Sequence, residues 1–141
     1  MNPDRIPATL PDTFALHEDE LIALQVNAAH TLGLPDTHFR DTLADGSAAP
    51  ALAVIPAGGF EYGAAPQEAA PAQDRPRRAA LIERSYAIGV HPVTTEEFET
   101  YARATGWQPR AELVWLSGRK PAINVRQPEA RDYCAWLGEQ T

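Results

Sequence analysis

Residues 92–98 read PVTTEEF, and this stretch decides where the main helix of the chain begins. Thr94 precedes Glu97 by the capping-box spacing, in which each side chain accepts a hydrogen bond from a backbone N–H at the helix start. Gly106 provides a stop at the other end. The side chains that share one face at helical spacing are Phe98, Tyr101, Ala102 and Thr105. The pattern therefore predicts an amphipathic helix that begins after Thr94 and ends at Gly106.

A second helix is predicted from Pro128, because proline is favoured at the first helical position. Glu129 adds an acid in the first turn, where the helix dipole favours negative charge. The expected apolar face consists of Ala130, Tyr133, Cys134 and Leu137. Residues 107–120 connect the two helices and include Trp107 and Trp115, so this connector is expected to pack down on the helices.

The sequence upstream of these helices predicts short strands separated by turns. Residues 51–56 form an apolar run typical of a buried strand, and after an Ala-Gly-Gly interruption residues 60–63 alternate again. Residues 79–90 have the character of one strand, with a bulge expected at Gly89. Residues 64–76 consist mainly of Ala, Pro, Gln and acids, which predicts an exposed loop of low order.

Residues 1–50 are interpreted as an N-terminal extension. They contain one expected helix at residues 18–32, with acids at its start and Gly33 as its stop. Residues 45–50 read DGSAAP, which is typical of a linker. The sequence therefore predicts an extension at residues 1–50 and a domain that begins near residue 51 and continues to residue 141.

Charge and composition argue against two classes of partner. The 141-residue chain carries a formal net charge of −7, whereas nucleic-acid binding requires a concentrated positive field. No apolar run approaches the roughly 18 residues that a membrane-spanning helix needs. We therefore expect no nucleic-acid partner and no membrane role. The single cysteine and an N-terminus without signal-peptide character favour the cytoplasm.

Four motifs occur in an order that resembles the formylglycine-generating enzyme and sulfatase-modifying factor family. They are PAGGFEYG at residues 56–63, PVTTEEF at 92–98, PAINV at 121–125 and YCAWL at 133–137. The resemblance covers residues 51–141 and implies an α+β fold of the irregular C-type-lectin-like, formylglycine-generating-enzyme type, of which this sequence holds the N-terminal part. Two positions depart from the family pattern, since residues 62–63 replace the usual Met-Gly and residues 125–127 replace Val-Ser-Trp.

The resemblance also implies where the chemistry of the family lies. Complete members continue after the YCAWL-like helix into an acidic Trp-containing segment, calcium ligands and a late pair of cysteines that work with copper. None of these motifs is in this sequence, so the resemblance implies no catalytic, cofactor-binding or metal-ligating residue here. Copper and calcium are implied only for a complete family member. Cys134 matches the helix motif and not the copper-binding pair, and we interpret it as a buried, inert side chain.

The remaining candidates favour structural roles. The four histidines, His17, His30, His38 and His91, have no pair at the i, i+3 or i+4 spacing that lets one helix face hold a metal. A sulfoxide-forming branch of the family uses iron held by three histidines, partly from an upstream helical domain for which residues 1–50 are too short. The acids Asp12, Glu18, Asp19 and Glu20 suit a helix start. The acids Glu61, Glu68, Asp74 and Glu83 are too scattered for an acid–base pair, and Arg75, Arg77 and Arg78 are interpreted as a solvated loop.

Two functions stay open. The first is the scaffold portion of a formylglycine-generating-type oxidoreductase, which oxidises a substrate cysteine or performs related oxygen-dependent chemistry at an active site absent from this chain. The second is a non-catalytic, lectin-like binding or structural module of the same family. We expect a partner chain or oligomer to complete the fold, because two core helices leave apolar surface exposed. A protein or peptide substrate is expected for the enzyme.

Overall fold

The computed structural model describes residues 11, 13, 16–108 and 118–141. Within them the chain contains three α-helices and five short strands. In chain order, the elements are α1 (Glu18–Thr31), β1 (His38–Phe39), β2 (Leu52–Ile55), β3 (Gly58–Tyr62), β4 (Arg78–Ile82), β5 (Tyr86–Gly89), α2 (Thr95–Thr105) and α3 (Gln127–Gln140). The α+β class expected from the sequence is confirmed.

The strands form two small sheets. One has the strand order β1-β2-β5, and its first two strands are antiparallel with His38 opposite Ala53. The other is the antiparallel pair β3-β4, in which Phe60 lies opposite Ala80. The expected strand at residues 51–56 corresponds to β2 and is confirmed.

The described residues divide into two compact units. The first comprises the described residues up to Thr37 together with Val54–Ile88, and the second comprises His38–Ala53 and Gly89–Thr141. None of the helices in the described ranges is both long enough and apolar enough to cross a membrane. Residues 109–117, which include Trp115, lie outside the described residues, so the packing expected for that part of the connector stays a prediction.

In the first unit, α1 confirms the helix predicted at residues 18–32. The His17 N–H donates to Oε2 of Glu20 at 2.8 Å, which satisfies one of the backbone groups at the helix start. Gln25 Nε2 donates to the carbonyl of Val54 at 2.8 Å. The buried residues of α1 are Ala28 and Ala29. This helix therefore packs through small side chains.

The interruption predicted at Ala-Gly-Gly separates β2 from β3, but it is shorter than predicted, because β3 already begins at Gly58. Gly58 and Gly59 are buried strand residues. A Cβ on Gly58 would lie 2.6 Å from Cγ2 of Thr13, and the Gly59 N–H donates to the Pro11 carbonyl at 2.8 Å. The glycines thus permit a close approach of two chain segments and do not break the strand.

The single strand predicted at residues 79–90 is wrong, because this stretch forms β4 and β5. The polar residues 83–85 separate the two strands, and Oγ of Ser85 accepts a hydrogen bond from the Ala57 N–H at 3.0 Å. Gly89, the expected bulge, is the last residue of β5. A polar segment therefore divides the stretch that the hydrophobic pattern predicts to be one continuous strand.

The loop between β3 and β4 is more structured than its composition predicts. Ala64 and Ala65 are buried, and a 3-10 helix spans Ala72–Asp74. The Ala64 N–H donates to the Asp74 carbonyl at 2.8 Å. Gly63 has a φ of +97°, and a Cβ there would lie 2.9 Å from the same carbonyl oxygen. Only glycine fits this position without strain.

Two of the arginines predicted to be solvated are used inside this loop. Arg77 Nη2 lies 3.0 Å from Oε1 of Glu68, and Arg77 Nη1 lies 3.9 Å from Oε2 of Glu61. Arg75 donates to the carbonyls of Pro66, at 2.8 Å, and of Glu68. The cluster therefore stabilises the loop internally, while Arg78 is exposed at the start of β4.

In the second unit, α2 confirms the helix predicted from the PVTTEEF stretch. The Thr94 N–H donates to Oε2 of Glu97 at 2.8 Å, and the Glu97 N–H donates to the Thr94 hydroxyl at 3.3 Å. The helix ends at Gly106, whose φ of +72° is the left-handed conformation that glycine adopts freely. Both ends follow from local sequence.

Three aromatic side chains from α2 and α3 form the core of the second unit. Phe98, Tyr101 and Tyr133 are 2 %, 5 % and 3 % exposed. The rings of Phe98 and Tyr133 stack with centroids 5.5 Å apart, and Phe98 meets Tyr101 edge-on at 5.2 Å. Trp107 also meets Phe98 edge-on at 5.2 Å, so the first residue of the connector packs down as predicted.

α3 differs from its predicted form at its start and in its buried face. It begins at Gln127, with Pro128 second, and the Arg126 N–H donates to Oε2 of Glu129 at 2.7 Å. Cys134 is exposed, so its interpretation as a buried side chain is wrong. The residues of α3 that pack on the core are Tyr133, Trp136 and Leu137. These follow the i, i+3, i+4 spacing, and Cys134 lies about 100° around the helix from Tyr133.

Candidate functional site

The second unit contains a cavity of about 330 Å³ beside the start of α2 and one face of α3. The ionisable residues that line it include Arg40, His91, Glu96, Glu97 and Arg119, and its aromatic walls are Tyr133 and Trp136. Aliphatic side chains complete the lining, among them Leu43 and Leu137. A cavity of this size and mixed character accommodates a small organic molecule.

Backbone hydrogen bonds hold the segment before α3 against the start of α2. The Thr95 N–H and hydroxyl both donate to the Lys120 carbonyl, at 2.8 and 3.2 Å. The Ala122 N–H donates to the Val93 carbonyl at 2.8 Å. Thr95 is 0 % exposed, so its hydrogen bonds are shielded from water. This pairing places Arg119 at the cavity.

A short turn shapes the opposite part of the lining. Thr42 and Ala48 form an antiparallel bridge, and Oδ1 of Asp45 accepts hydrogen bonds from the Ser47 hydroxyl at 2.6 Å and the Ser47 N–H at 2.9 Å. These bonds, that of the hydroxyl first, lower the pKa of the exposed Asp45 carboxyl. Residues 45–50, expected as a linker, therefore belong to a hydrogen-bonded turn. Arg40 enters the cavity lining just before it.

The aromatic wall belongs to the same cluster that stabilises the helix pair. Trp136 lies with its ring centroid 5.5 Å from that of Tyr101 and 6.0 Å from that of Tyr133. Burial raises the pKa of the Tyr133 hydroxyl well above its usual value, and the nearby carboxylate of Glu97 adds to the effect. Tyr133 therefore stays protonated to a more alkaline pH than an exposed tyrosine does.

The charged groups of the lining differ in how they are used. The Glu97 carboxylate accepts hydrogen bonds from the backbone and hydroxyl of Thr94, at 2.8 and 2.9 Å. Among the described residues, the ion pairs within 4.0 Å are both made by Arg77, so Arg40 and Arg119 have no carboxylate partner at that distance. Two arginines thus line the cavity, and neither lies within 4.0 Å of a carboxylate of the described residues.

The structure does not bring the other candidate residues together. Of the histidines, only His91 lines this cavity. Asp12 lies outside the described residues. The described part of the chain gathers no group of three His, Cys, Asp or Glu side chains that could hold a metal ion. Copper and calcium accordingly stay implied by the family resemblance only for a complete member.

A second cavity, in the first unit, has a volume of about 500 Å³ and lies along the loop between β3 and β4. Arg75 and Asp74 line it, and both make hydrogen bonds within the loop through their side chain or carbonyl. The Arg75 side chain and the Asp74 carbonyl thus serve the loop's own structure. This cavity is therefore the weaker candidate for a binding site.

Sequence reasoning missed the two arginines of the first cavity. Arg119 stands in a connector that the pattern predicts only to pack down, and Arg40 stands in the predicted extension. A signal for Arg40 exists in Asp45-Gly46, because Asp-Gly between short runs is typical of a tight hairpin turn. Treating these residues as a turn would have predicted that residues 40 and 50 lie close together.

Comparisons with known proteins identify the fold. The family model of the sulfatase-modifying factor enzyme 1-like domain matches residues 39–140, which includes part of the segment interpreted as an extension. The solved structure of PvdO from Pseudomonas aeruginosa is 27 % identical, with a TM-score of 0.59 over 73 % of this chain and 43 % of that one. No curated protein matches the chain.

The chain thus spans less than half of the length of PvdO. The match covers all four motifs, PAGGFEYG, PVTTEEF, PAINV and YCAWL, so the resemblance read from them is confirmed. The chain belongs to the sulfatase-modifying factor family and holds part of a formylglycine-generating-enzyme-like fold.

Proposed function

We propose that this chain is the scaffold portion of a formylglycine-generating-enzyme-like protein. The reaction of that protein would be the oxidation of a substrate cysteine or a related oxygen-dependent conversion, carried out by residues that this chain does not contain. The observation that carries the proposal is the partial match, in which the chain corresponds to 43 % of the PvdO chain. Its helices and sheets would position the missing catalytic part.

The chemistry of the residues present supports this assignment. The sequence has one cysteine, whereas the family resemblance implies a reaction at a pair. Cys134 is exposed on α3 and belongs to no cluster of three potential metal ligands in the described ranges. We propose that copper and calcium, which the resemblance implies for a complete family member, are held by the complementary portion of the fold.

The exposed apolar residues support a partner chain or an oligomer that completes the fold. In the first unit, Ile22, Tyr62 and Ile88 are 51 %, 50 % and 49 % exposed. In the second unit, Ile123 is 43 % exposed. A partner chain or a second copy that packs on such side chains would remove apolar surface from water. A protein or peptide substrate and a cytoplasmic location, without nucleic-acid or membrane partners, complete the proposal.

A chimera tests the scaffold role directly. In it, this chain replaces the matching portion of PvdO, and the expected result is a soluble protein that unfolds in one cooperative transition. Separate transitions for the two parts, or failure to form a folded chimera when both parents fold, would contradict the proposal.

A second test incubates the chain alone with copper, oxygen and a cysteine-containing peptide. Mass spectrometry should show an unchanged peptide, and conversion would place the active site in this chain.

The alternative is a non-catalytic, lectin-like binding or structural module of the same family. The observation that favours it is the cavity of the second unit, which is formed without any residue beyond this chain. A chain that is a stable, cooperatively unfolding monomer on its own, with a chimera that does not fold, would favour this alternative over the scaffold.

A further inference from the structure

The cavity of the second unit has a composition that points to a particular ligand chemistry. Its volume of about 330 Å³ suits a small organic molecule rather than an inorganic ion. One wall is aromatic, formed by Trp136 and Tyr133, and Leu43 and Leu137 add aliphatic surface. These walls favour a ligand with an apolar body, ideally a planar one that packs against the rings.

The polar recognition groups are the guanidinium groups of Arg40 and Arg119. They reach the cavity from separate parts of the second unit, and each lacks a carboxylate partner within 4.0 Å among the described residues. A guanidinium group binds a carboxylate through two parallel N–H donors, and such charge-assisted hydrogen bonds are stronger than neutral ones. Two arginines at one cavity therefore favour an acid as the ligand.

The start of α2 does not itself supply the anion site. The N–H groups of Thr95, Glu96 and Glu97 already donate to the carbonyls of Lys120 and Gly118 and to the Thr94 hydroxyl. The recognition of an anion in this cavity must consequently come from side chains.

Glu96 limits the charge of the ligand. It lines the same cavity, and it lacks the capping hydrogen bonds that hold the Glu97 carboxylate. Its negative charge repels a dianion such as phosphate more strongly than a monoanion. The lining therefore holds two arginines and two carboxylates, Glu96 and the Glu97 that caps α2, and this balance suits a ligand with no more than a single negative charge.

From this arrangement we propose that the cavity binds a small monocarboxylic acid with an apolar, ring-containing body. Arg40 and Arg119 bind the carboxylate, the wall of Trp136 and Tyr133 packs against the ring, and Glu96 selects against higher charge. The inference concerns a ligand site in the second unit and does not depend on the proposed scaffold role.

The experiment is a titration of the full 141-residue chain with benzoate, monitored through the indole N–H signal of Trp136 in 1H–15N spectra. The signal is assigned with Trp136→Phe. We expect saturable shifts with a dissociation constant on the order of 1 mM, as suits a ligand of this size. Three matched probes accompany benzoate. Benzamide lacks the negative charge, acetate lacks the ring, and inorganic phosphate carries more negative charge.

Four single variants test the assigned roles. Arg40→Gln and Arg119→Gln should each weaken benzoate binding about tenfold, because each removes one charge-assisted contact. Glu96→Gln should strengthen it severalfold. Arg131→Gln removes the same charge from an exposed position of α3 outside the cavity lining and should leave binding unchanged. Circular dichroism confirms that each variant is folded.

The outcomes separate clearly. Preference for benzoate over all three probes, with the expected pattern of variants, supports the site. Equal binding of benzamide overturns recognition by the arginines, and equal binding of acetate overturns the role of the aromatic wall. Tighter binding of phosphate overturns the selection for one charge. No saturable shift in the folded chain overturns the proposal.

Discussion

Helices α1 and α2 begin alike and are buried very differently. In both, a glutamate three residues after the capping residue accepts a hydrogen bond from that residue's N–H, at 2.8 Å in each case. α2 buries Phe98 and Tyr101, whereas α1 buries only alanines and leaves Ile22 51 % exposed. The local signal therefore fixes where a helix starts, and tertiary packing decides how much that helix contributes to stability.

The largest expected difference between the two helices comes from truncating a large side chain in each. Phe98→Ala should lower the free energy of unfolding by about 3–4 kcal/mol, because it opens a cavity among Tyr101, Tyr133 and Trp107. Ile22→Ala on α1 should cost less than about 1 kcal/mol. Urea unfolding followed by circular dichroism measures both. Similar costs would show that α1 is more deeply packed than its exposure indicates.

A second expected effect concerns Tyr133, whose pKa is raised by burial. Above about pH 10 the unfolded chain loses this proton while the folded chain retains it. The retained proton of Tyr133 thus has no effect on the free energy of unfolding below about pH 10. As the pH rises further, the free energy of unfolding falls by at most about 1.4 kcal/mol per pH unit. Tyr133→Phe should unfold with a correspondingly shallower dependence on alkaline pH. Identical slopes in the two proteins would mean that Tyr133 ionises normally when folded.

A smaller effect is expected at the helix starts themselves. Thr94→Ala removes the hydroxyl that accepts from the Glu97 N–H, and it should cost about 1 kcal/mol. Glu20→Ala at the exposed start of α1 should cost at most about half as much, because water replaces the lost hydrogen bond. Thermal unfolding of the two variants provides the comparison. A larger cost at Glu20 would reverse the ranking of the two helix starts.

The smallest expected effect is at Cys134. Because it is exposed, Cys134→Ser should change the free energy of unfolding by less than about 0.5 kcal/mol. The thiol should also react with iodoacetamide in the folded chain at a rate close to that in urea. Much slower reaction of the thiol with iodoacetamide in the folded chain would show that Cys134 is buried, as the sequence predicts.

The sequence predicts those parts of the fold that depend on near neighbours. The capping pair of α2 and its stop at Gly106 are local, and both are found as predicted. The start of β3 is not predicted, because glycine usually interrupts a strand. Here Gly58 is a strand residue, and the close approach of Thr13 leaves no room for a larger side chain. The burial of Cys134 is predicted wrongly for a different reason. An apolar side chain beside the buried stripe of a helix cannot be distinguished from one within the stripe until the rotation of the helix is known.

The candidate site was less predictable than the fold. Its arginines are separated by most of the second unit's sequence, and only the turn at residues 42–48 and the pairing near Thr95 bring their segments to one cavity. No periodic pattern links such residues, since each is exposed and polar. The family resemblance locates catalytic groups elsewhere and is silent about this cavity.

The buried hydrogen bonds of Thr95 also determine how this part of the protein opens. Because Thr95 donates to Lys120 while Ala122 donates to Val93, the start of α2 cannot separate from the segment before α3 without exposing both. Amides that become exposed in one opening event show the same free energy of opening in exchange with solvent deuterium. The Thr95 and Ala122 amides therefore belong to one cooperative unit, and a ligand in the adjacent cavity would raise the free energy of opening of both by the same amount.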